Sequence, residues 1–264
     1  MIRVAIHAVG LMAPGLPGWR ESVAVLQGMT PYRQEPLPPL KPAMLKPNER
    51  RRTTNTIKLA LEVSADALDQ VPMQDELLSV FASTHGDLDI INQICTALTQ
   101  DERPVSPTQF HNSVHNAPAG YWSIAAGYQQ TSTSLAGSDG TFSAGLLDAA
   151  TQTVIENKPV LLVAYDLPAP APLNEVITID STFAVSLLIS NQVEGKDNLG
   201  IIDIETQPDL LESKMQHAQM EAQRLASPAA RSLPLLEALA ARNKTILNLP
   251  YLPDLNLKVG LAQC

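Results

Sequence analysis

The chain has 264 residues, 45% hydrophobic and 17% charged, with a net charge of −9. This composition excludes general disorder and leaves room for one large domain or two small ones. An acidic balance without a long basic run argues against nucleic acid as a partner. Two cysteines, Cys95 and Cys264, cannot build a disulfide framework or a four-thiolate zinc site.

Met1-Ile2-Arg3-Val4-Ala5-Ile6 lacks the long apolar core of a signal peptide, and Ile2–Val9 reads as a buried strand. No apolar run is long enough for a transmembrane helix, so a soluble cytoplasmic protein is expected. Trp19–Gln27 has helical periodicity and stops at Gly28. Pro31, Pro36, Pro38, Pro39, Pro42 and Pro47 then exclude a helix and imply an extended surface strap. Arg50, Arg51 and Arg52, read as a solvated charge run, precede an amphipathic helix carrying Ile57, Leu59, Ala60, Leu61, Val63, Ala67 and Leu68. Leu77–Ala82 is a second strand. Asp87–Leu98 is a helix whose Ile90, Ile91, Ile94, Cys95 and Leu98 share one side, so Cys95 is expected in the core.

Thr131–Leu135 is a short strand, Thr141–Ile155 a helix and Pro159–Tyr165 an apolar strand. Ala184–Ser190 and Gly200–Glu205 follow as strands, and Leu210–Ala226 and Leu233–Ala241 as helices. Strands alternating with helices predict an α/β fold with a mostly parallel sheet flanked by helices. The Pro/Ala loop around 168–172 is the best internal boundary.

One segment departs from the background. Pro104–Ser138 holds no Asp, Glu, Lys or Arg across 35 residues. It is polar as well as apolar, so it is no membrane span. Depleted charge with Phe110, Tyr121, Trp122 and Tyr128 present suits a surface buried against another polypeptide; the other reading is the interior of a monomer. The segment ends in Ala136-Gly137-Ser138-Asp139-Gly140, between a strand and a helix. Such a turn lifts a side chain to the mouth of a sheet beside helix N–H groups. As a serine hydrolase or acyltransferase, Ser138 would be the nucleophile, His85-Gly86 the oxyanion loop and His217 the base.

The same turn, running Ala136-Gly137-Ser138-Asp139-Gly140-Thr141-Phe142-Ser143-Ala144, resembles the nucleophile turn of β-ketoacyl synthases, which have the thiolase fold. Phe110-His111-Asn112-Ser113-Val114-His115-Asn116-Ala117-Pro118-Ala119-Gly120-Tyr121-Trp122 resembles the segment entering that family's interface helix. Leu37-Pro38-Pro39-Leu40-Lys41-Pro42 followed by Arg50-Arg51-Arg52 resembles its N-terminal half. The resemblance covers residues 1–190 in order. It implies a ketosynthase-like α/β domain over 1–190 and a reduced C-terminal portion over 191–264 packing on it.

The resemblance also puts Gly137 at the family's nucleophilic cysteine. After residue 168 the sole histidine is His217, which fits neither of the family's histidine motifs. Those losses resemble chain-length factors, ketosynthase-like partners that pair with an active β-ketoacyl synthase and shape its acyl tunnel. The short length resembles the aryl-polyene subunits among them. A role in such a heterodimer implies no independent activity, no cofactor and no metal, with the acyl carrier protein docking mainly on the partner. Phe110, His115, Asn116, Tyr121, Trp122, Thr131, Thr133, Leu135 and Phe142 are the implied interface and tunnel residues. Tyr121, Trp122 and Phe142 are the candidates for setting tunnel depth. A homodimeric thiolase-fold scaffold is the third reading.

Overall fold

A computed structural model describes residues 1–73, 76–194, 198–208 and 211–262. The apolar strands assemble into one eight-stranded sheet. In chain order these are β1 (Ile2–Met12), β2 (Leu78–Ala82), β3 (Ser132–Leu135), β4 (Val160–Asp166), β5 (Phe183–Ser190), β6 (Gly200–Pro208), β7 (Thr245–Leu252) and β8 (Leu255–Ala262). Their spatial order is β3-β2-β4-β5-β1-β6-β8-β7. Every residue of β2, β4 and β5 is buried. This is why these strands read as unbroken apolar runs rather than alternating ones.

The expected mostly parallel sheet is corrected. Only β2 pairs in parallel, with β3 and with β4. The pairs β4–β5, β1–β5, β1–β6, β6–β8 and β7–β8 are antiparallel. Helices carry the chain between β2, β3 and β4, which a parallel crossover needs. The return from β4 to β5 has no α-helix and reverses the strand.

The main helices are α1 (Trp19–Leu26), α2 (Pro47–Arg50), α3 (Asn55–Leu68), α4 (Leu88–Leu98), α5 (Pro107–Asn112), α6 (Ala117–Ala126), α7 (Thr141–Glu156), α8 (Ala218–Leu225) and α9 (Leu233–Ala240). They divide the core into two layers. One holds α7, α9 and the core-facing side of β8 around Phe142, Leu146 and Leu236. The other holds α3 and α6 around Leu59, Phe81 and Trp122. Thr54 caps α3 by accepting from the Ile57 amide.

Two further expectations are corrected. Cys95 is exposed, because α4 buries only Ile90 and turns Ile91 and Leu98 outward. The helix expected over Leu210–Ala226 shrinks to α8; residues 211–217 precede it, and Leu210 lies outside the described residues. Arg224, buried in α8, draws Glu212 back at 3.0 Å and Glu221 at 2.8 Å. Glu221 also accepts from the Met215 amide, so the helix's acid groups tie down the segment before it instead of extending the helix. Cys264 lies outside the described residues.

The sequence reading leaves β7 and β8 unassigned. Leu247, Leu249, Leu257, Val259 and Leu261 alternate along them facing the core, and Pro253-Asp254 makes the turn. Through β6, this hairpin extends the sheet begun by β1, so β6, β8 and β7 continue the same sheet.

Candidate functional site

The turn expected to carry chemistry lies where the parallel strands end. Ala136 and Gly137 leave β3, a 3-10 turn spans Ser138–Gly140, and α7 begins at Thr141. Gly140 must be glycine: a Cβ there would meet the Tyr251 carbonyl oxygen of β7 at 2.0 Å. The C-terminal hairpin thus clamps the turn. A Cβ at Gly137 would meet Ala144 Cβ at 3.0 Å and Thr141 Cα at 3.2 Å. Gly137 therefore carries no nucleophile, and a side chain there would require its neighbours to shift.

Hydrogen bonds fix the turn from below. Thr141 Oγ1 accepts from the Gly137 amide at 3.0 Å and donates to the Ser138 carbonyl at 2.6 Å. Thr84 Oγ1 lies 3.2 Å from Thr141 Oγ1 and 3.2 Å from Asp166 Oδ2. Asp166, at the end of β4, is fully buried and also accepts from the Thr84 amide at 2.9 Å, the Ala229 amide at 3.2 Å and Ser83 Oγ at 3.3 Å. It joins the β2 exit, the segment before α9 and, through two threonines, the turn. Burial outweighs those donors and raises its pKa to about 6.

The sign follows from where the proton sits. The folded state holds the Asp166 proton up to about pH 6, whereas the unfolded chain releases it near pH 4. Stability should therefore fall as pH rises from about 4 to 6, by on the order of 3 kcal/mol, and level off above. Asp166→Asn should remove that slope. Urea midpoints of both proteins across this range check it; a wild-type slope no steeper than the variant's counts against it.

Ser138 is exposed, with φ of 51°, a left-handed position rare for a non-glycine residue. No hydrogen bond joins it to a histidine among the described residues. His217 sits at the N-cap of α8 and lines a cavity of about 720 Å³ with Leu26, Lys214, Glu237 and Lys244, which includes no residue of the turn. His85 is exposed on the loop after β2. The hydrolase arrangement of Ser138, His85 and His217 is not assembled.

The charge-free segment lies mostly at the surface of the chain. Within it only Asn112, Ala117, Pro118, Ala119 and Trp122 are buried. Phe110 is 66% exposed, Val114 50% and Ile124 82%. On the preceding helix, Ile91 and Leu98 are exposed as well. Thr131 and Asn116 are exposed; Thr133 and Leu135 are half-buried on β3, which forms one edge of the sheet. His115 Nε2 bonds to the Ser83 carbonyl at 2.8 Å. Tyr121 is half-buried, with its hydroxyl donating to Asn112 Oδ1 at 3.1 Å. Trp122 and Phe142, expected to face a tunnel, are enclosed by this chain alone. Trp122 packs between Phe81 and Tyr128, with ring centroids at 5.8 and 5.1 Å, and Phe142 lies in the other layer. Their large apolar areas complete the two cores instead of a surface.

The fold and the turn define a thiolase-like, ketosynthase-type α/β protein. The chain belongs to the family of the β-ketoacyl synthase N-terminal domain, whose model matches residues 20–249. Among solved structures it is similar to a chain of the complex of the ketosynthase ApeO with its chain length factor ApeC from Xenorhabdus doucetiae. That match has 22% identity and a TM-score of 0.75, covering 98% of this chain and 100% of that one. It is also similar to a chain of the ishigamide ketosynthase/chain length factor, at 14% identity and a TM-score of 0.75, covering 98% of each. Against a β-ketoacyl synthase from Burkholderia phymatum, at 15% identity and a TM-score of 0.59, it covers 92% of this chain but 71% of the other. A search of curated proteins finds no match. Among the described residues, no helix is long and apolar enough to cross a membrane.

Proposed function

We propose that this chain is a non-catalytic, ketosynthase-like partner that joins an active β-ketoacyl synthase and shapes its acyl tunnel, in the manner of a short chain-length factor. The observation that carries the reading is the pairing of a turn that holds no nucleophile at Gly137 with an uncharged surface at Pro104–Ser138 beside an open sheet edge. A self-sufficient condensing enzyme needs the first feature to be different. An isolated chain has no use for the second, since exposed apolar patches and free strand edges invite association.

In this reading β3 pairs with the partner's equivalent strand, and α5 and α6 lie against the partner. The partner supplies the nucleophile and most of the carrier-docking surface. Arg50, Arg51 and Lys41, which line a groove of about 530 Å³ with Lys58, are this chain's cationic contribution to binding an acidic carrier. The reading extends to an aryl-polyene system, and a soluble, cytoplasmic assembly accords with the composition.

Co-expression with a ketosynthase encoded beside it should give a 1:1 complex on size exclusion, with condensation only when both chains are present. Condensation by this chain alone, or by the ketosynthase at full rate without it, would sink the proposal.

A further inference from the structure

The cavity of about 720 Å³ that His217 lines lies between the ends of α1 and α9, the start of β7 and residues 214–217. It takes in no residue between 104 and 140, so neither the turn nor the uncharged segment accounts for it. Its volume is that of a small-molecule site, and its walls are pinned. Residues 211–217 run without helix and are tied down on both sides. The Ser213 amide donates to the Asn248 carbonyl at 2.9 Å, and the Asn248 amide to Ser213 Oγ at 3.0 Å. Met215 is buried, with its amide donating to Glu221. Opposite, Gln27 Nε2 donates to the Ala240 carbonyl at 2.7 Å and locks the end of α1 to the end of α9.

The opening is cationic in a chain whose net charge is −9. Lys214, His217 and Lys244 stand exposed around it, and none of them forms a salt bridge among the described residues. Acids of the adjoining elements are engaged elsewhere: Glu212 and Glu221 with Arg224, and Asp203 with Arg3. A lysine beyond the end of a helix offsets its dipole, which accounts for Lys244 after α9. Lys214 and His217 instead precede α8, at the end where cations are disfavoured. The chain's own fold gives no return for that placement; an anion in the cavity would. The one acid in the lining is Glu237 of α9. It is half-buried, burial raises its pKa, and no hydrogen bond or ion pair joins its carboxyl to another described residue. A carboxyl withdrawn from water without a partner calls for a donor from outside the chain.

We infer that this cavity binds a phosphate monoester with a hydroxylated body, its phosphate held by Lys214, His217 and Lys244 and a hydroxyl by Glu237. No arginine lines the cavity. Ammonium groups are point charges that suit a compact dianion, whereas a carboxylate is matched best by the guanidinium fork. Gln216 and Asn243 add neutral donors at the opening, and Leu26 and Leu247 wall the interior. The inference stands apart from the heterodimer reading.

Calorimetric titration of the purified full chain with ribose 5-phosphate, ribose and inorganic phosphate tests it. Ribose 5-phosphate should bind 1:1, about tenfold tighter than inorganic phosphate, and ribose should give no heat. Lys214→Gln and Lys244→Gln should each raise Kd for ribose 5-phosphate about tenfold at unchanged Tm. Glu237→Ala should bring its affinity down to that of inorganic phosphate, without weakening inorganic phosphate itself. Absence of binding by ribose 5-phosphate overturns the inference, as does a Kd that neither lysine variant moves. Equal affinity for ribose 5-phosphate and inorganic phosphate in the wild type also overturns it, because the site would then be an unselective basic patch. Binding to phosphatidate vesicles but to neither soluble phosphate overturns it in favour of a lipid headgroup.

Discussion

Ser134→Pro should yield a folded chain that no longer co-purifies with a ketosynthase. In the β2–β3 ladder the Ser79 amide donates to the Thr131 carbonyl and the Ser83 amide to the Leu135 carbonyl. Bonding alternates along a strand, so the backbone groups of Ser132 and Ser134 point to the free edge. Natural edges are usually blunted by lysine, proline or an inward charge; β3 has none of these. Proline at 134 removes an outward N–H and sets a ring where a paired strand would lie. It takes no bond from β2, so the chain's own stability should change by about 1 kcal/mol or less. Association should weaken by about a hundredfold or more, from the lost bond and the steric clash. Ser134→Ala, which keeps the N–H, should assemble normally. Gel filtration of the co-expressed pairs measures this, and a proline variant that still elutes as a 1:1 complex would rule out pairing at this edge.

That prediction was within reach of the sequence in outline only. The charge gap at Pro104–Ser138 and the short strand at its end are visible in the residues. A tract without charges is compatible with burial inside one chain or between two, and no periodicity separates them. The fold decides by leaving Phe110, Val114 and Ile124 outside. The strands were legible because β2, β4 and β5 are continuous apolar runs, whereas their directions were not. Direction depends on whether a helix crosses between two strands, and the span between β4 and β5 offers a Pro/Ala loop instead. Cys95 lies outside the core, and a helical stripe shows that one face is apolar without showing what covers it. The hairpin of β7 and β8 did have a signal: leucines alternating on either side of Pro253-Asp254. The hub at Asp166 had none, since a lone aspartate after an apolar strand says nothing about Ser83, Thr84 and Ala229, which come from other elements.

Phe142→Ala should cost about 3–5 kcal/mol of stability. The ring is 0% exposed and belongs to the layer beneath α7 with Leu146, Val80 and Leu162, so its removal leaves a cavity that close-packed neighbours cannot fill. Against a total near 5–15 kcal/mol this is a large fraction, and Tm should fall by about 10 °C. Trp122→Ala should behave similarly, since it strips the ring that bridges Phe81 and Tyr128. Tyr121→Ala is different in kind. Its hydroxyl holds Asn112, which in turn donates to the Arg52 carbonyl at 2.8 Å, and the loss of one half-buried bond should cost about 1 kcal/mol. Of the three aromatic residues, Tyr121 is therefore the one whose shortening can alter assembly or product length without first unfolding the subunit. Thermal melts of the three variants beside their yields of complex separate these cases. A Phe142→Ala protein as stable as wild type would show that its ring does not complete the core.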